Sequence, residues 1–187
     1  MSSKNDKFYL KLALNMAKQH EGLTGENPSV GCVIVKDNKI LSLSKTSISG
    51  RPHAEDNAIR FANTNDLKGS TIYVTLEPCT HHGKTPPCTD LIIKKKISKI
   101  VYASNDIDER TANKLKKVLK NHNISTKQIR MKEITDFYKS YFFIRKNKFP
   151  YITAKLACSN DYYIYSKKNK NITNELSRKT SHLLRYK

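Results

Sequence analysis

Residues that can bind a metal ion occur in two short segments of this sequence. The first segment contains His53 and, two positions later, Glu55; the second contains Cys79 and Cys88. One imidazole and two thiolates are three of the four ligands of a tetrahedral zinc, and the fourth position stays open for water or substrate. A carboxylate beside such a metal can carry protons. The pattern predicts a catalytic zinc held by His53, Cys79 and Cys88, with Glu55 moving protons while an amino group is hydrolysed from a ring.

The alternative is a zinc ion that only stabilises the fold. Structural zinc sites are closed by four protein ligands, usually in two closely spaced pairs. Here Cys79 and Cys88 are separated by eight residues, and His81 and His82 lie between them. A ligand from His81 or His82 would close the site, and the spacing alone leaves this alternative open.

Strand and helix patterns alternate along the first three quarters of the chain. Short apolar, β-branched runs predict strands, and apolar residues three or four positions apart predict helices, with Asp6 as a cap for the first one. The predicted strands are residues 30–35, 40–43, 71–76, 100–103 and, more weakly, 129–131, and the predicted helices are residues 8–20, 53–62, 91–97, 112–119 and 135–145. This alternation predicts an α/β fold whose helices cover both faces of one sheet.

The predicted helices would position the chemistry. His53 and Glu55 fall at the start of one helix, and Cys88 follows two prolines into another, while Cys79 follows the end of a strand. The N-terminus of a helix carries partial positive charge, which favours an ionised thiolate. We therefore expect the fold to help keep both sulfurs in the form that binds zinc.

The length of 187 residues suits one ordinary domain and part of a second. We place a boundary near residues 147–150, with a zinc-dependent domain at 1–146 and an incomplete second domain at 147–187. The second domain begins with a predicted strand at 151–157 and then becomes rich in Lys, Asn and Ser, so we expect it to bury little core.

The formal charge of +19 raises the question of nucleic-acid binding. The lysines are dispersed along the chain, which favours attraction of a small phosphorylated substrate over a shaped nucleic-acid surface. The sequence contains no apolar run of membrane-spanning length and no secretion signal, so we expect a cytoplasmic protein with reduced cysteines. Of the remaining cysteines, Cys32 is expected in the core, and Cys158 has no motif around it.

Three strings of the sequence together resemble one known family: residues 27–35, 50–55 and 75–88. They are similar to the deaminase half of the bifunctional riboflavin-biosynthesis deaminase/reductase. The third string is the most specific, because the letters T-H-H-G-K-T-P-P separate its cysteines, whereas cytidine and transfer-RNA deaminases have only two residues between theirs. The resemblance covers about residues 6–146 and implies a cytidine-deaminase-like α/β/α fold with a mixed sheet of about five strands.

The resemblance implies a substrate and the residues that contact it. The substrate would be diaminohydroxyphosphoribosylaminopyrimidine, converted to aminophosphoribosylaminouracil and ammonia in riboflavin synthesis. Asn27, His81 and Lys84 match family positions that contact substrate. Two positions depart from the family pattern: Thr46 replaces a histidine, and the sequence Asp-Ile-Asp-Glu at 106–109 replaces Asp-Pro-Asn-Pro.

The last forty residues resemble the opening of the family's reductase at residues 150–155, 171–173 and 182–185. The sequence stops before the glycine-containing segment expected to bind pyridine-nucleotide phosphates, so the resemblance implies no reductase step in these residues, and NADPH only if the native chain continues. The rival function is a nucleic-acid base deaminase, acting on adenosine in transfer RNA or on cytidine. Because this fold often self-associates, a homo-oligomer is a further expectation.

Overall fold

The computed structural model describes residues 3–62, 67–165, 167 and 171–183. The chain divides into two compact units, Met1–Lys148 and Phe149–Lys187. The strands and helices of the first unit are α1 (Ser3–Lys18), β1 (Gly31–Lys36), β2 (Lys39–Lys45), α2 (Ala54–Arg60), β3 (Thr71–Leu76), α3 (Cys88–Lys94), β4 (Lys99–Ser104), α4 (Leu115–Leu119), β5 (Ser125–Gln128), α5 (Lys132–Phe137) and α6 (Lys139–Asn147).

The five strands form one mixed sheet in the order β2-β1-β3-β4-β5. Strand β1 is antiparallel to both of its neighbours, whereas β3, β4 and β5 run parallel. Strand β3 is buried along its whole length, and β1 and β4 are buried at all but one residue each. Strands buried on both faces lie between two layers of helices. The predicted α/β/α fold with a mixed five-stranded sheet is confirmed.

The hairpin between β1 and β2 forms at the predicted polar turn. Asp37 and Asn38 occupy it with φ angles of 49° and 61°. Two consecutive residues with positive φ are typical of the tight turn that matches the twist of two antiparallel strands, and Asp and Asn tolerate this conformation better than most residues. Helix α1 packs against β1 so closely that a Cβ on Gly31 would lie 1.8 Å from the carbonyl oxygen of Ala13, so only glycine fits at this position.

Asp6 does not cap α1 as predicted, because it lies inside the helix with a fully buried side chain. Its carboxylate accepts hydrogen bonds from the Tyr73 hydroxyl at 2.9 Å and from the Lys127 ammonium at 2.7 Å. The Lys99 ammonium lies 3.9 Å from the same carboxylate. Asp6 therefore joins α1 to three strands of the sheet.

Several predicted elements have different boundaries; the helix predicted at 91–97, for example, is Cys88–Lys94. The last strand is Ser125–Gln128 rather than 129–131, because an edge strand that is half exposed does not need an apolar pattern. The helix predicted at 135–145 is divided into α5 and α6 at Tyr138, whose ψ of 2° is not helical. Tyr138 is buried, and its hydroxyl pairs with that of Thr75 at 2.6 Å. Of the helix predicted at 112–119, only Leu115–Leu119 is helical.

The second unit contains one helix within its described residues, α7 (Glu175–Leu183). The strand predicted at 151–157 is not formed: the segment has no secondary structure, and Ile152 and Leu156 are 83% and 75% exposed. A strand requires a hydrogen-bonded neighbour, and the described part of this unit provides none. Residues 184 and 185 of the reductase-like string lie outside the described residues. No described helix is both long and apolar enough to span a bilayer.

Candidate active site

Two helix N-termini and the end of a strand carry the predicted metal ligands. His53 is the N-cap residue of α2, and Glu55 is the second residue of that helix. Cys88 is the first residue of α3, preceded by the extended Pro87. Cys79 lies three residues beyond the end of β3. The residues at the starts of α2 and α3 are therefore also the ones whose side chains lie at the site.

The three predicted ligands lie together. The His53 Nδ1 atom is 3.6 Å from the Cys79 sulfur and 3.4 Å from the Cys88 sulfur, and all three atoms lie within 4.8 Å of one another. Zinc bonds of about 2.0–2.3 Å at tetrahedral angles place nitrogen and sulfur ligands roughly 3.5 Å apart. The spacing and the chemistry of the donors therefore fit zinc.

The described residues supply no fourth ligand to this group. The ring of His81 is engaged elsewhere, because its Nδ1 atom lies 2.9 Å from the hydroxyl of Thr111. The side chain of His82 is 78% exposed and lies 3.9 Å from Asp90. Neither histidine belongs to the ligand group, so among the described residues neither one closes the site.

Hydrogen bonding favours the ionised form of one of the two sulfurs. The backbone N–H of Cys88, at the start of α3, donates to the Cys79 sulfur at 3.2 Å. The hydrogen bond from the Cys88 thiol, helped by His53, lowers the pKa of Cys79 to about 4. The same contact raises the pKa of Cys88 well above its usual value. The hydrogen bond to Cys79 also raises the pKa of His53.

Glu55 lies beside the ligand triangle and is almost inaccessible, with 4% of its surface exposed. Burial raises the pKa of its carboxyl to about 7, although the neighbouring charge of His53 acts in the opposite direction. A carboxyl group with a pKa near neutrality can both accept and return a proton at physiological pH. Of the residues in this site, Glu55 is therefore best suited to moving protons.

A cleft opens onto Glu55 and the ligand triangle. Its lining includes two of the three residues that the resemblance assigned to substrate, Asn27 and His81, but not the third, Lys84, which is exposed. The amide of Asn27 is oriented by a 3.0 Å hydrogen bond to the carbonyl of Gly50. Thr46 also lines the cleft, and its hydroxyl accepts a hydrogen bond from the backbone of Val30 at 3.0 Å.

One wall of the cleft is a loop whose backbone is hydrogen-bonded to Glu77. The sequence alone did not predict this contact. The Glu77 carboxylate is 3% exposed and accepts hydrogen bonds from the backbone N–H groups of Asp106, Asn113 and Leu115 at 3.0–3.3 Å. These hydrogen bonds hold the loop so that Asp106, Asp108 and Arg110 line the cleft. The position of Glu77, two residues before Cys79, was the one local indication that it belongs to the site. Its hydrogen-bond partners could not be predicted, because they lie about thirty or more residues away.

Residues 106–109, which depart from the family pattern, form a compact turn in this wall. The Asp106 carboxylate accepts hydrogen bonds from the backbone of Ile107 and Asp108 at 2.7 and 3.1 Å. Asp108 is paired with the guanidinium of Arg110, which lowers the pKa of Asp108 to about 2. The charge of Arg110 is thereby largely neutralised within the turn.

Comparison with known proteins agrees with this geometry. Residues 3–104 match the family described as the cytidine and deoxycytidylate deaminase zinc-binding region. The chain is 41% identical to a riboflavin biosynthesis protein RibD of Aquifex aeolicus over 183 residues, which are 96% of this chain and 51% of that protein. The chain thus spans about half the length of this relative.

A shorter relative matches over nearly its whole length. The diaminohydroxyphosphoribosylamino-pyrimidine deaminase of Buchnera aphidicola from Acyrthosiphon pisum is 41% identical over 147 residues, which are 78% of this chain and 99% of that protein. Among solved structures, the deaminase/reductase of Thermotoga maritima is 35% identical with a TM-score of 0.85, covering 95% of this chain and 52% of that one. A cyanophage dCMP deaminase, 18% identical with a TM-score of 0.54, shares the fold.

Proposed function

We propose a function from the family of this chain, which belongs to the cytidine and deoxycytidylate deaminases, on their riboflavin-biosynthesis branch. Residues 1–146 would hydrolyse the exocyclic ring amine of diaminohydroxyphosphoribosylaminopyrimidine. Water supplies the oxygen of the new ring carbonyl, and the amine leaves as ammonia. The substrate is the one that the name of the Buchnera relative states.

The observation that carries this proposal is a three-ligand group with a buried carboxyl beside it. His53, Cys79 and Cys88 would hold zinc, and the described residues offer no fourth side chain to close the site. Zinc bound there would polarise a water molecule and make it easier to deprotonate. Two thiolates and a neutral imidazole cancel the charge of the ion, which weakens this effect, so an additional base is required nearby.

Glu55 provides that base. Its carboxylate would accept one proton as water adds to the amine-bearing ring carbon and would pass it to a ring nitrogen. It would then accept the proton of the new hydroxyl group and pass that proton to the departing amine. Burial favours the neutral form of this carboxyl, which helps it hold the proton between the two transfers. Asn27 and His81, which line the same cleft, would orient the ring through its polar edges.

The test is ammonia release from the pathway intermediate by the zinc-loaded protein, with transfer RNA and single-stranded nucleic acid assayed in parallel. Glu55→Gln should lower turnover by about 10²–10⁴-fold while zinc remains near one equivalent. Asp56→Asn is the matched control, because Asp56 is the next acid of the same helix and pairs with Arg60 outside the cleft. Full turnover by Glu55→Gln would overturn the role of Glu55, and deamination only of nucleic acid would favour the rival function.

For residues 147–187 we propose the start of the family's reductase domain, on the resemblance of residues 150–155 and 171–173. The compact unit Phe149–Lys187 begins close to that point. A role for NADPH, a cytoplasmic location and self-association remain predictions from the sequence.

A further inference from the structure

The cleft in front of Glu55 is lined by charged side chains of both signs, including the carboxylates of Glu77, Asp106 and Asp108. Three arginines line it: Arg51, Arg110 and Arg145. None of them belongs to the residues that the sequence analysis assigned to substrate. Because Lys84, the lysine assigned to the substrate phosphate, does not line the cleft, these arginines are the cationic groups that a substrate inside it would meet.

Two of the three arginines have other roles. Arg110 is bound to Asp108 through its Nε atom, at 2.9 and 3.1 Å from the two carboxylate oxygens, so its charge is already paired. Arg51 lies at the metal end of the cleft, and it donates to the Thr85 hydroxyl at 2.5 Å. Arg51 therefore joins the metal end to the segment between the two cysteines.

Arg145 has a different pair of contacts. One Nη atom donates to the backbone carbonyl of Glu26 at 2.6 Å, and the guanidinium carbon lies 5.7 Å from the centre of the Tyr141 ring. These contacts orient the guanidinium between α6 and the segment that carries Asn27. Among the described residues, no carboxylate lies within the 4.0 Å of an ion pair with it. Its charge is thus held in place by a backbone carbonyl and by Tyr141, rather than by a carboxylate.

We propose that Arg145 is a specificity-determining residue that binds the phosphate of the substrate, an inference that rests on the proposed deaminase function. A guanidinium presents five N–H donors in a plane, and the contacts with the Glu26 carbonyl and the Tyr141 side chain use only part of them. The remaining donors can meet a phosphate in the paired geometry that arginine favours. The ring would then lie between Arg145 and Glu55, with its amine directed at the metal site.

The test compares the phosphorylated intermediate with its dephosphorylated counterpart in zinc-loaded protein. Arg145→Gln should raise KM for the phosphorylated substrate about tenfold or more, with kcat and the KM of the dephosphorylated substrate changed less than about twofold. Arg145→Lys should recover part of the loss. Lys146→Gln is the matched control, because it removes the same charge from the next residue of α6, which does not line the cleft.

An equal rise of KM for both substrates would show that Arg145 only shapes the cleft and would overturn the inference. So would a phosphate effect in Lys84→Gln that is absent in Arg145→Gln. Ribose 5-phosphate carries the anion without the ring, and its binding measured by calorimetry tests Arg145 without turnover. If the native protein releases no ammonia, the proposed function fails; if Arg145→Gln binds ribose 5-phosphate as well as the native protein does, the inference fails.

Discussion

Glu55 and Asp6 are both carboxyl groups hidden from solvent, with 4% and 0% of their surfaces exposed, and their surroundings have opposite effects. Glu55 lies with two cysteines and a histidine, and burial raises its pKa to about 7. Burial also acts to raise the pKa of Asp6, but the hydrogen bonds from Lys127 and Tyr73 and the charge of Lys99 outweigh it, so that pKa is lowered.

The two groups lie toward opposite ends of the parallel strands. Lys99 is the first residue of β4, and it lies beside Asp6, whereas Cys79 follows the last residue of β3. In open α/β sheets, binding sites form beyond the carboxyl ends of the strands. The comparison shows how one fold uses buried charge in two ways: Asp6 is fully paired and holds α1 to the sheet, whereas Glu55 is kept ready to exchange a proton.

The largest expected effect follows from removing a metal ligand. Cys79→Ser replaces the sulfur of lowest pKa with a hydroxyl that does not ionise at neutral pH, so zinc affinity should fall by more than the roughly 10–100-fold caused by loss of a residue that only orients a ligand. Zinc content, measured by atomic absorption after dialysis, should fall far below one equivalent, and turnover should fall with it. Cys158→Ser, an exposed thiol in the second unit, is the control. Full zinc content in Cys79→Ser would contradict the assignment.

A smaller and different effect is expected from Asp6→Asn. The substitution removes the charge that attracts Lys127 and Lys99, while the amide oxygen can still accept from Tyr73, so the free energy of unfolding should fall by about 1.5–3 kcal/mol. Zinc content and kcat should stay unchanged. Asp136→Asn, which removes an exposed ion pair with Lys132, should cost no more than about 0.5 kcal/mol. Urea denaturation measures both values, and a loss of zinc without a loss of stability in Asp6→Asn would contradict the comparison.

The metal end was predictable because its sequence signals are local. His53 and Glu55 are two residues apart at a helix start, and both cysteines lie in one short segment next to a strand and a helix. The strands of the sheet were predicted for a related reason, since apolar runs mark those that are buried on both faces. The edge strand β5 was misplaced because its polar residues carry no such pattern.

The remaining features depend on contacts between distant parts of the chain. Asp6 was predicted to cap α1 because the residues around it give no sign of its true partner, Lys127, which is 121 residues away. Arg145 was not singled out for the same reason, since its contact with Glu26 spans 119 residues. The division of the predicted helix at Tyr138 likewise follows from a hydroxyl that pairs with Thr75 in β3. Local pattern does not encode such pairs.

The smallest expected effect is a pH dependence that separates the two carboxyl groups further. Because the pKa of Asp6 is lowered by folding, the folded state binds fewer protons than the unfolded state near pH 4, so Asp6 contributes stability above its unfolded pKa of about 4. That contribution is lost as the pH falls through the folded-state pKa. The difference in unfolding free energy between the native protein and Asp6→Asn should therefore be constant above about pH 5 and become smaller below about pH 4. The native protein and the variant share the same zinc site, so loss of zinc at low pH cancels in the difference; a difference that grows with acid would contradict the pairing of Asp6.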